Sequence, residues 1–339
     1  MTAHPKHVII KSGARRLFLA AARHFLISLE EKMKKRFLLI AAAVVMIVAA
    51  LYGILLFFQN APYAPKTSTD FAMGSVLTQT YWTNWVSGNV RKAIEELEEE
   101  LLSATEAPAL ALEIMEASNG AFNPYLGALV KLWDVDGQKY VPTQEEIEQA
   151  LEAKELDLGA YGKGAACDVA LRITSYNRGY PPVQGAVVNF GGNIFTYKQK
   201  TWWQPFKIAL RDPLGGPNDT MGVFTLRGTH FISTSGSYEK YFERDGVKYH
   251  HIFDPETGYP ACRDPGLVSV TVITGAEGYE AGGLSTGGAI GDMVSTACFV
   301  LGYEASLELL AQYSCDALFV YENGDVRPVG RVMEYYEAR

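Results

Sequence analysis

The 339-residue chain has few cysteines, which mark structural zinc sites, and lacks the excess of lysine and arginine that marks nucleic-acid-binding proteins. It contains four cysteines, Cys167, Cys262, Cys298 and Cys315, and no two of them have CxxC spacing. A structural zinc site is therefore not expected. The 30 lysines and arginines are outnumbered by 38 aspartates and glutamates, so the net charge is −8. Nucleic acid is not expected as a partner, because phosphate binding requires a basic surface. Internal repeats and low-complexity tracts are also lacking.

Residues 37–58, FLLIAAAVVMIVAALYGILLFF, contain no charged residue. About 20 apolar residues suffice to cross a bilayer core, so this segment predicts a transmembrane helix. Lys34, Lys35 and Arg36 precede it, and only one lysine lies in the twelve residues that follow. This asymmetry places the N-terminus in the cytoplasm and the chain after residue 59 outside the cell membrane. The alternative is a cleaved signal peptide, but the run is longer than usual and lacks a small-x-small cleavage site.

The predicted anchor divides the chain into four parts. Residues 1–36 form a cytoplasmic segment, of which residues 1–32 are interpreted as lying upstream of the true start at Met33. Residues 37–58 are the anchor, residues 59–70 a polar tether, and residues 71–339 one extracytoplasmic domain. Apolar periodicity in this domain predicts helices at 89–105, 108–118, 143–155, 164–175, 291–302 and 305–313, and Thr143 with Glu146 predicts a capping box at the start of the third. Strands are predicted at 73–86, 186–190, 206–210, 223–228, 231–235, 249–253 and 267–274, and a hairpin at 317–329 with Asn323-Gly324 in its turn. This order indicates an α+β fold with mixed, mainly antiparallel sheets and packed helices behind one N-terminal transmembrane helix.

Residues 250–261, HHIFDPETGYPA, concentrate titratable side chains in one loop. The Asp-Pro and Thr-Gly pairs favour turns. Histidine changes charge near pH 6.5, so His250 or His251 could accept a proton during a reaction. The alternative is a surface turn that contains two hydrogen-bonded histidines.

Asp292 and Thr296 are four residues apart in a predicted helix and therefore share one face. A carboxylate and a hydroxyl side by side suit Mg²⁺, which prefers oxygen ligands. The alternative is that Asp292 caps the helix N-terminus.

A second motif, DLGAYGKG at 157–164, places three glycines between an extended segment and a helix. Glycines permit close backbone approach, and a helix N-terminus attracts anions, so the motif suits a phosphate. It has neither Walker A nor GxGxxG spacing. The alternative is a loop in which the glycines only turn the chain and Lys163 is solvated.

Four further motifs occur with these three in a characteristic order: FAMGS at 71–75, SNGAFNPYLGALVKLW at 118–133, VVNFGGNIF at 187–195 and FISTSGSYEKYF at 231–242. Together they resemble the FAD:protein FMN transferases of the ApbE family over residues 70–325. The resemblance implies a two-lobed domain that transfers FMN from FAD, its substrate, to a serine or threonine of another protein, releasing AMP with the help of Mg²⁺. The implied acceptor is an exported or membrane redox protein.

The resemblance also implies roles for individual residues. His251, which directly precedes Ile-x-Asp-Pro, would be the general base, and Asp254 would orient its ring or contact the metal shell, unless it only caps the turn. The metal ligands would be Asp292, Thr296 and the backbone of Ala160. The implied FAD-binding residues are Met73, Phe122, Asn123, Pro124, Asp157, Lys163, Gly191, Gly192, Ser235, His251 and Ile252.

Three positions depart from the family pattern. Ala289 and Asn193 replace aspartates that some members have, and Ser237 replaces a third. These departures keep two alternatives open: an Mg²⁺-dependent FAD pyrophosphatase that yields FMN and AMP, and a non-catalytic flavin-binding protein.

Overall fold

The chain divides into two units, Met1–Ala61 and Pro62–Arg339. The computed structural model describes residues 7–59, 64–83, 89–157, 159, 161–175, 183–201, 204–276, 280–281 and 284–339.

The first unit is a single helix, α1, which runs from His7 to Gln59. Residues 16–54 of this helix are long and apolar enough to cross a membrane, and none of the most apolar window is buried within the protein. Large side chains such as Leu38 and Ile40 are exposed. The sequence-based expectation of an apolar helix at 37–58 is thus confirmed, and its orientation stays a prediction.

The second unit consists of seven helices, α2–α8, and fifteen strands among the described residues. The helices are α2 (Asn89–Ser103), α3 (Ala109–Ala117), α4 (Gly127–Trp133), α5 (Gln144–Glu152), α6 (Gly162–Ser175), α7 (Gly287–Leu301) and α8 (Tyr303–Gln312). The strands are β1 (Pro65–Ala72), β2 (Ser75–Trp82), β3 (Gly185–Phe190), β4 (Asn193–Lys198), β5 (Phe206–Arg211), β6 (Thr220–Leu226), β7 (His230–Gly236), β8 (Tyr241–Arg244), β9 (Val247–His250), β10 (Leu267–Gly275), β11 (Glu280–Ala281), β12 (Leu284–Ser285), β13 (Asp316–Tyr321), β14 (Val326–Val329) and β15 (Tyr336–Ala338).

Eight strands form the main sheet in the order β1-β2-β3-β4-β7-β10-β13-β14. Every described strand pair is antiparallel. Helix α7 packs on one face, where Val270 and Val272 of β10 join its apolar side chains in one core. The small sheet β15-β6-β5 covers the other face through Ile232, Ile273 and Leu318. The predicted α+β fold with mainly antiparallel sheets is confirmed.

The structure corrects two sequence-based boundaries. Residues 65–70 were expected in the tether, but they lie in β1, which pairs with β2 along its whole length. The polar residues there gave no apolar alternation because most side chains of β1 are exposed. The strand expected at 249–253 ends at His250, and beyond it only an isolated bridge joins Phe253 to Pro260. His250 and His251 are therefore not successive residues of one strand.

Candidate active site

A cavity of about 780 Å³ opens in the second unit. Its wall includes the β1–β2 turn, the start of α6, the turn between β3 and β4, the end of β7 and the second turn of α7. Twelve of the residues singled out by sequence lie in this wall. From the first half of the domain come Met73, Phe122, Asn123, Asp157 and Lys163; from the second half come Gly191, Gly192, Ser235, His251, Ile252, Asp292 and Thr296.

Two predicted residues are not in the wall, and the position of a third is not described. Pro124 lies behind it, and its carbonyl accepts a hydrogen bond from the Asp157 amide at 2.7 Å. Ala160 lies outside the described residues. Asp254 accepts two hydrogen bonds of 2.6 Å from Arg263 and one from the Glu256 amide. These contacts fit a residue that fixes the Asp-Pro turn, so the geometry gives no support to the expected catalytic role of Asp254.

Asp292 is a buried carboxylate held from two sides. Its Oδ2 accepts a hydrogen bond from the Gly164 amide at 2.9 Å, and its Oδ1 accepts one from Asn193 Nδ2 at 3.1 Å. A Cβ at Gly164 would collide with the carbonyl of Gly288 and with the Asp292 side chain. Glycine is thus required where α6 touches α7. Burial raises the pKa of Asp292, and the positive charge of Lys163 partly opposes this.

The alternative interpretation, in which Asp292 caps the N-terminus of α7, is wrong. The helix begins at Gly287, so Asp292 is in its second turn. Asp168 of α6 caps the helix instead: its two carboxylate oxygens accept hydrogen bonds from the amides of Gly288 and Ala289 at 3.0 and 2.8 Å. The role of Asp168 could not be predicted from the sequence, because about 120 residues separate it from the amides that it binds.

A second carboxylate faces the same space. Burial raises the pKa of Asp157, a hydrogen bond from the Gly159 amide lowers it, and the charge of Asp292 raises it further. Asp157 and Asp292 disfavour each other's ionisation, and the positive charge of Lys163 favours the ionised form of both. An additional cation would stabilise this pair of carboxylates.

The oxygen atoms beside Asp292 suit a hard cation. The Thr296 hydroxyl donates to the Asp292 carbonyl at 3.1 Å and lies 3.3 Å from the Ser235 hydroxyl. Asn193 Oδ1 is buried and has no hydrogen-bond partner among the described residues. Among those residues there is no cluster of three His, Cys, Asp or Glu side chains that could hold a metal. The donor set is instead a carboxylate and a hydroxyl, with the Ala160 carbonyl expected from sequence. Magnesium, which takes few protein ligands, fits such a set.

The two histidines occupy different environments. His250 is buried: its Nε2 lies 3.2 Å from the Ala261 carbonyl, and its Nδ1 accepts a hydrogen bond from the Ile252 amide. Its ring meets that of Phe299 edge-on at 5.5 Å. Burial lowers the pKa of His250 to about 4. Both ring nitrogens are engaged, so His250 stabilises the loop.

His251 lines the cavity. Its Nδ1 lies 3.2 Å from the Lys240 carbonyl, which requires a proton on Nδ1 and leaves Nε2 as the free acceptor. Burial, followed by the positive charge of Lys163, lowers the pKa of His251 to about 4. The imidazole is therefore neutral at pH 7. This pKa lies below the usual one near 6.5, and the sequence could not show the difference because Lys163 is 88 residues away from His251 along the chain.

The β3–β4 turn and the start of α6 form a further part of the wall. Gly191 has a φ of 56° and donates its amide to the Val76 carbonyl at 3.2 Å. A side chain at Gly191 would meet the Ser75 hydroxyl and crowd the aliphatic part of Lys163. Lys163 lies in the first turn of α6. The positive end of a helix and a lysine beside it form a site for an anion.

The wall also contains two charged residues that lie outside every sequence motif, Arg211 and Asp136. Arg211 stacks its guanidinium over the Tyr238 ring, 5.0 Å from the centroid, and lies 3.4 Å from Glu239. Lys240 pairs with Asp136 at 2.6 Å. These contacts join separate loops, so only the folded chain reveals them.

Comparison with known proteins identifies the family of the chain. The model of the ApbE family matches residues 89–319. A FAD:protein FMN transferase of Treponema pallidum is 33% identical over 263 residues, which cover 66% of this chain and 67% of that protein. One from Klebsiella pneumoniae is 35% identical over 231 residues, covering 61% and 66%. The chain thus spans about two thirds of the length of these relatives.

Solved structures share the fold. The ApbE protein of Thermotoga maritima superposes with a TM-score of 0.63 at 26% identity, over 80% of this chain and 99% of that one. The apo flavinyl transferase ApbE of Pseudomonas stutzeri does so with 0.62 at 23% identity, over 81% and 97%. The chain therefore belongs to the ApbE family and is an enzyme, a transferase.

Proposed function

We propose that the chain transfers FMN from FAD to a serine or threonine hydroxyl of an exported or membrane redox protein, releasing AMP in an Mg²⁺-dependent reaction. One observation carries the proposal: the neutral ring of His251, the buried Asp292–Thr296 pair and Lys163 line a single cavity. The names of the curated relatives and solved structures support FAD as the donor and a protein as the acceptor.

In this reaction the acceptor oxygen attacks the phosphorus of the FMN half. The bond between that phosphorus and the oxygen bridging to AMP breaks, and AMP leaves. His251 Nε2 takes the hydroxyl proton, since Nδ1 is engaged by the Lys240 carbonyl. Because the pKa of His251 is lowered to about 4, the ring is in its proton-accepting form at neutral pH.

The pyrophosphate of FAD would lie against the start of α6, with Lys163 and the Gly191–Gly192 turn around it. Asp292, Thr296 and the Ala160 carbonyl would hold Mg²⁺. When bound, the metal neutralises charge that develops on the phosphates. Asp157 and Ser235 complete the polar lining, while Met73, Phe122, Asn123 and Ile252 supply the wall against which the flavin or adenine ring packs.

The location of the acceptor follows from helix α1. A spanning helix at 37–58 with its basic flank on the cytoplasmic side supports a second unit that is outside the cell membrane. The acceptor would then be exposed on the same side, as an exported or membrane protein.

The test is incubation of the full chain in detergent with FAD, Mg²⁺ and solubilised membrane proteins of the cells that produce it. Flavin fluorescence on a denaturing gel, with AMP release in equal amount, is the expected result. Omission of Mg²⁺ and the His251→Ala variant are the controls. Free FMN with AMP but no fluorescent band would instead identify a pyrophosphatase, and neither product would identify a flavin-binding protein.

A further inference from the structure

The two edges of the main sheet differ in how they are protected from pairing. Edge strand β14 has four residues and contains Arg327 and Pro328, which discourage a further strand. Edge strand β1 has eight residues, and its proline, Pro65, stands at the first position. Among the described residues, no strand pairs with the outer side of β1. Within the part of the chain that the structure describes, β14 is therefore protected against pairing with a further strand, whereas β1 has an open edge.

The β1–β2 turn determines which backbone groups β1 presents at this open side. Met73 and Gly74 both have positive φ, 47° and 68°, as in a type I′ turn. Such a turn makes Ala72 and Ser75 a hydrogen-bonded pair, and hydrogen-bonded and free pairs then alternate along the strands. The register consequently directs the amides and carbonyls of Thr67, Thr69 and Phe71 away from β2.

An apolar pair lies at the cavity end of this open edge. Phe71 is opposite Val76, and their side chains are 67% and 54% exposed. The Val76 carbonyl accepts the amide of Gly191, whose turn lines the cavity. The exposed pair is thus continuous with the wall that contains the proposed phosphate site.

The direction of β1 leads along its open edge to the cavity. The strand runs toward Met73, which lines the cavity. We infer that the open edge of β1 is the docking site of the acceptor protein, which adds an extended segment as a further strand and so delivers its hydroxyl to the cavity. This inference rests on the proposed function.

Recognition of this kind uses the backbone more than side chains. Three outward amides and carbonyls hold the segment, and an apolar side chain of the acceptor covers Phe71. The residues that follow the paired stretch pass Met73 and enter the cavity. One enzyme can then modify several acceptors, provided that each has an extended segment beside its serine or threonine.

The decisive variant is Thr69→Pro, which removes an outward donor and leaves the bonds between β1 and β2 in place. The probe is the protein band that becomes fluorescent with the wild-type chain in the experiment above, purified as acceptor. We expect KM for the acceptor to rise about tenfold, the effect of one or two lost hydrogen bonds and local crowding, with kcat unchanged. Thr69→Val retains the amide and should behave as wild type. FAD affinity and thermal stability are measured for both variants.

A second measurement does not depend on a variant. Hydrogen exchange of the wild-type chain, with and without the acceptor, should show that the amides of Thr67, Thr69 and Phe71 become protected. Unchanged exchange at these amides, or equal KM values for Thr69→Pro and Thr69→Val, would overturn the inference. So would a wild-type dimer that Thr69→Pro dissociates, because a second copy would then occupy the edge. Failure of the proposed function is distinguishable, since the wild-type chain would then label no protein.

Discussion

Replacement of His251 by alanine should lower the transfer rate, whereas replacement of His250 should lower the free energy of unfolding. His251→Ala removes the ring that lines the cavity, and the transfer rate should fall by about 10²–10⁴-fold, the usual contribution of a general base. His250→Ala leaves the cavity wall intact. It removes two hydrogen bonds worth about 1 kcal/mol each and an edge contact with Phe299 worth about 1 kcal/mol. The free energy of unfolding should therefore fall by about 3 kcal/mol, with little change in rate.

The pH dependence separates the two rings again. Burial lowers the pKa of His250 to about 4, whereas the unfolded chain titrates near 6.5. Between these values the unfolded state binds more protons than the folded state, so the free energy of unfolding decreases as the pH falls. His250 accounts for about 3 kcal/mol of this decrease, and His251, whose pKa is also lowered to about 4, adds a contribution that His250→Ala retains. Protonation of His251 should lower the transfer rate only near pH 4, whereas a loss of rate at higher pH would come from Asp292 or Asp157, whose pKa values are raised.

Both effects can be followed on the same preparations, with gel fluorescence for the rate and urea denaturation for stability. A loss of rate in His250→Ala as large as that in His251→Ala, measured on protein that is still folded, would refute the assignment of the base. An NMR titration that places the pKa of the His251 ring near 6.5 would refute the lowered value.

Three further predictions concern other parts of the chain. Asp292→Ala should abolish Mg²⁺-dependent transfer while calorimetry still detects weaker FAD binding; retained activity that still requires the metal would remove Asp292 from the site. Asp254→Ala should lower the free energy of unfolding by about 2 kcal/mol, because it removes two hydrogen bonds from Arg263, which keeps its contact with Glu256, and one from the Glu256 amide. The transfer rate should be unchanged at a temperature where the variant is folded. Loss of rate in folded Asp254→Ala would restore a catalytic role to that carboxylate. Alkaline phosphatase fused after Arg339 should be active in intact cells, and an inactive fusion would place the second unit in the cytoplasm.

Local signals in the sequence predicted local structure well. Thr143 and Glu146 form the expected capping box at the start of α5. Asn323 and Gly324 form the turn between β13 and β14. In each case the residues that determine the structure lie within a few positions of one another, so their spacing contains the information.

Contacts between distant segments could not be predicted in this way. Asn193 was noted as a departure from the family pattern, but only the fold shows that its amide supports Asp292, 99 residues away. Asp254 was expected at the active site because its loop contains His251, yet its carboxylate binds Arg263. Strand β1 was missed because polar side chains cover an exposed edge, where burial imposes no pattern.

The contact between α6 and α7 has a consequence for how the enzyme receives its ligands. Gly164 and Gly288 touch backbone to backbone, and Asp168 ties the first turn of α7 to α6. The pair therefore behaves as one rigid body, and the Asp292 carboxylate is oriented before a ligand arrives. The entropy of ordering it is lost during folding rather than at each turnover, so a weakly held cation can exchange rapidly without dismantling the site.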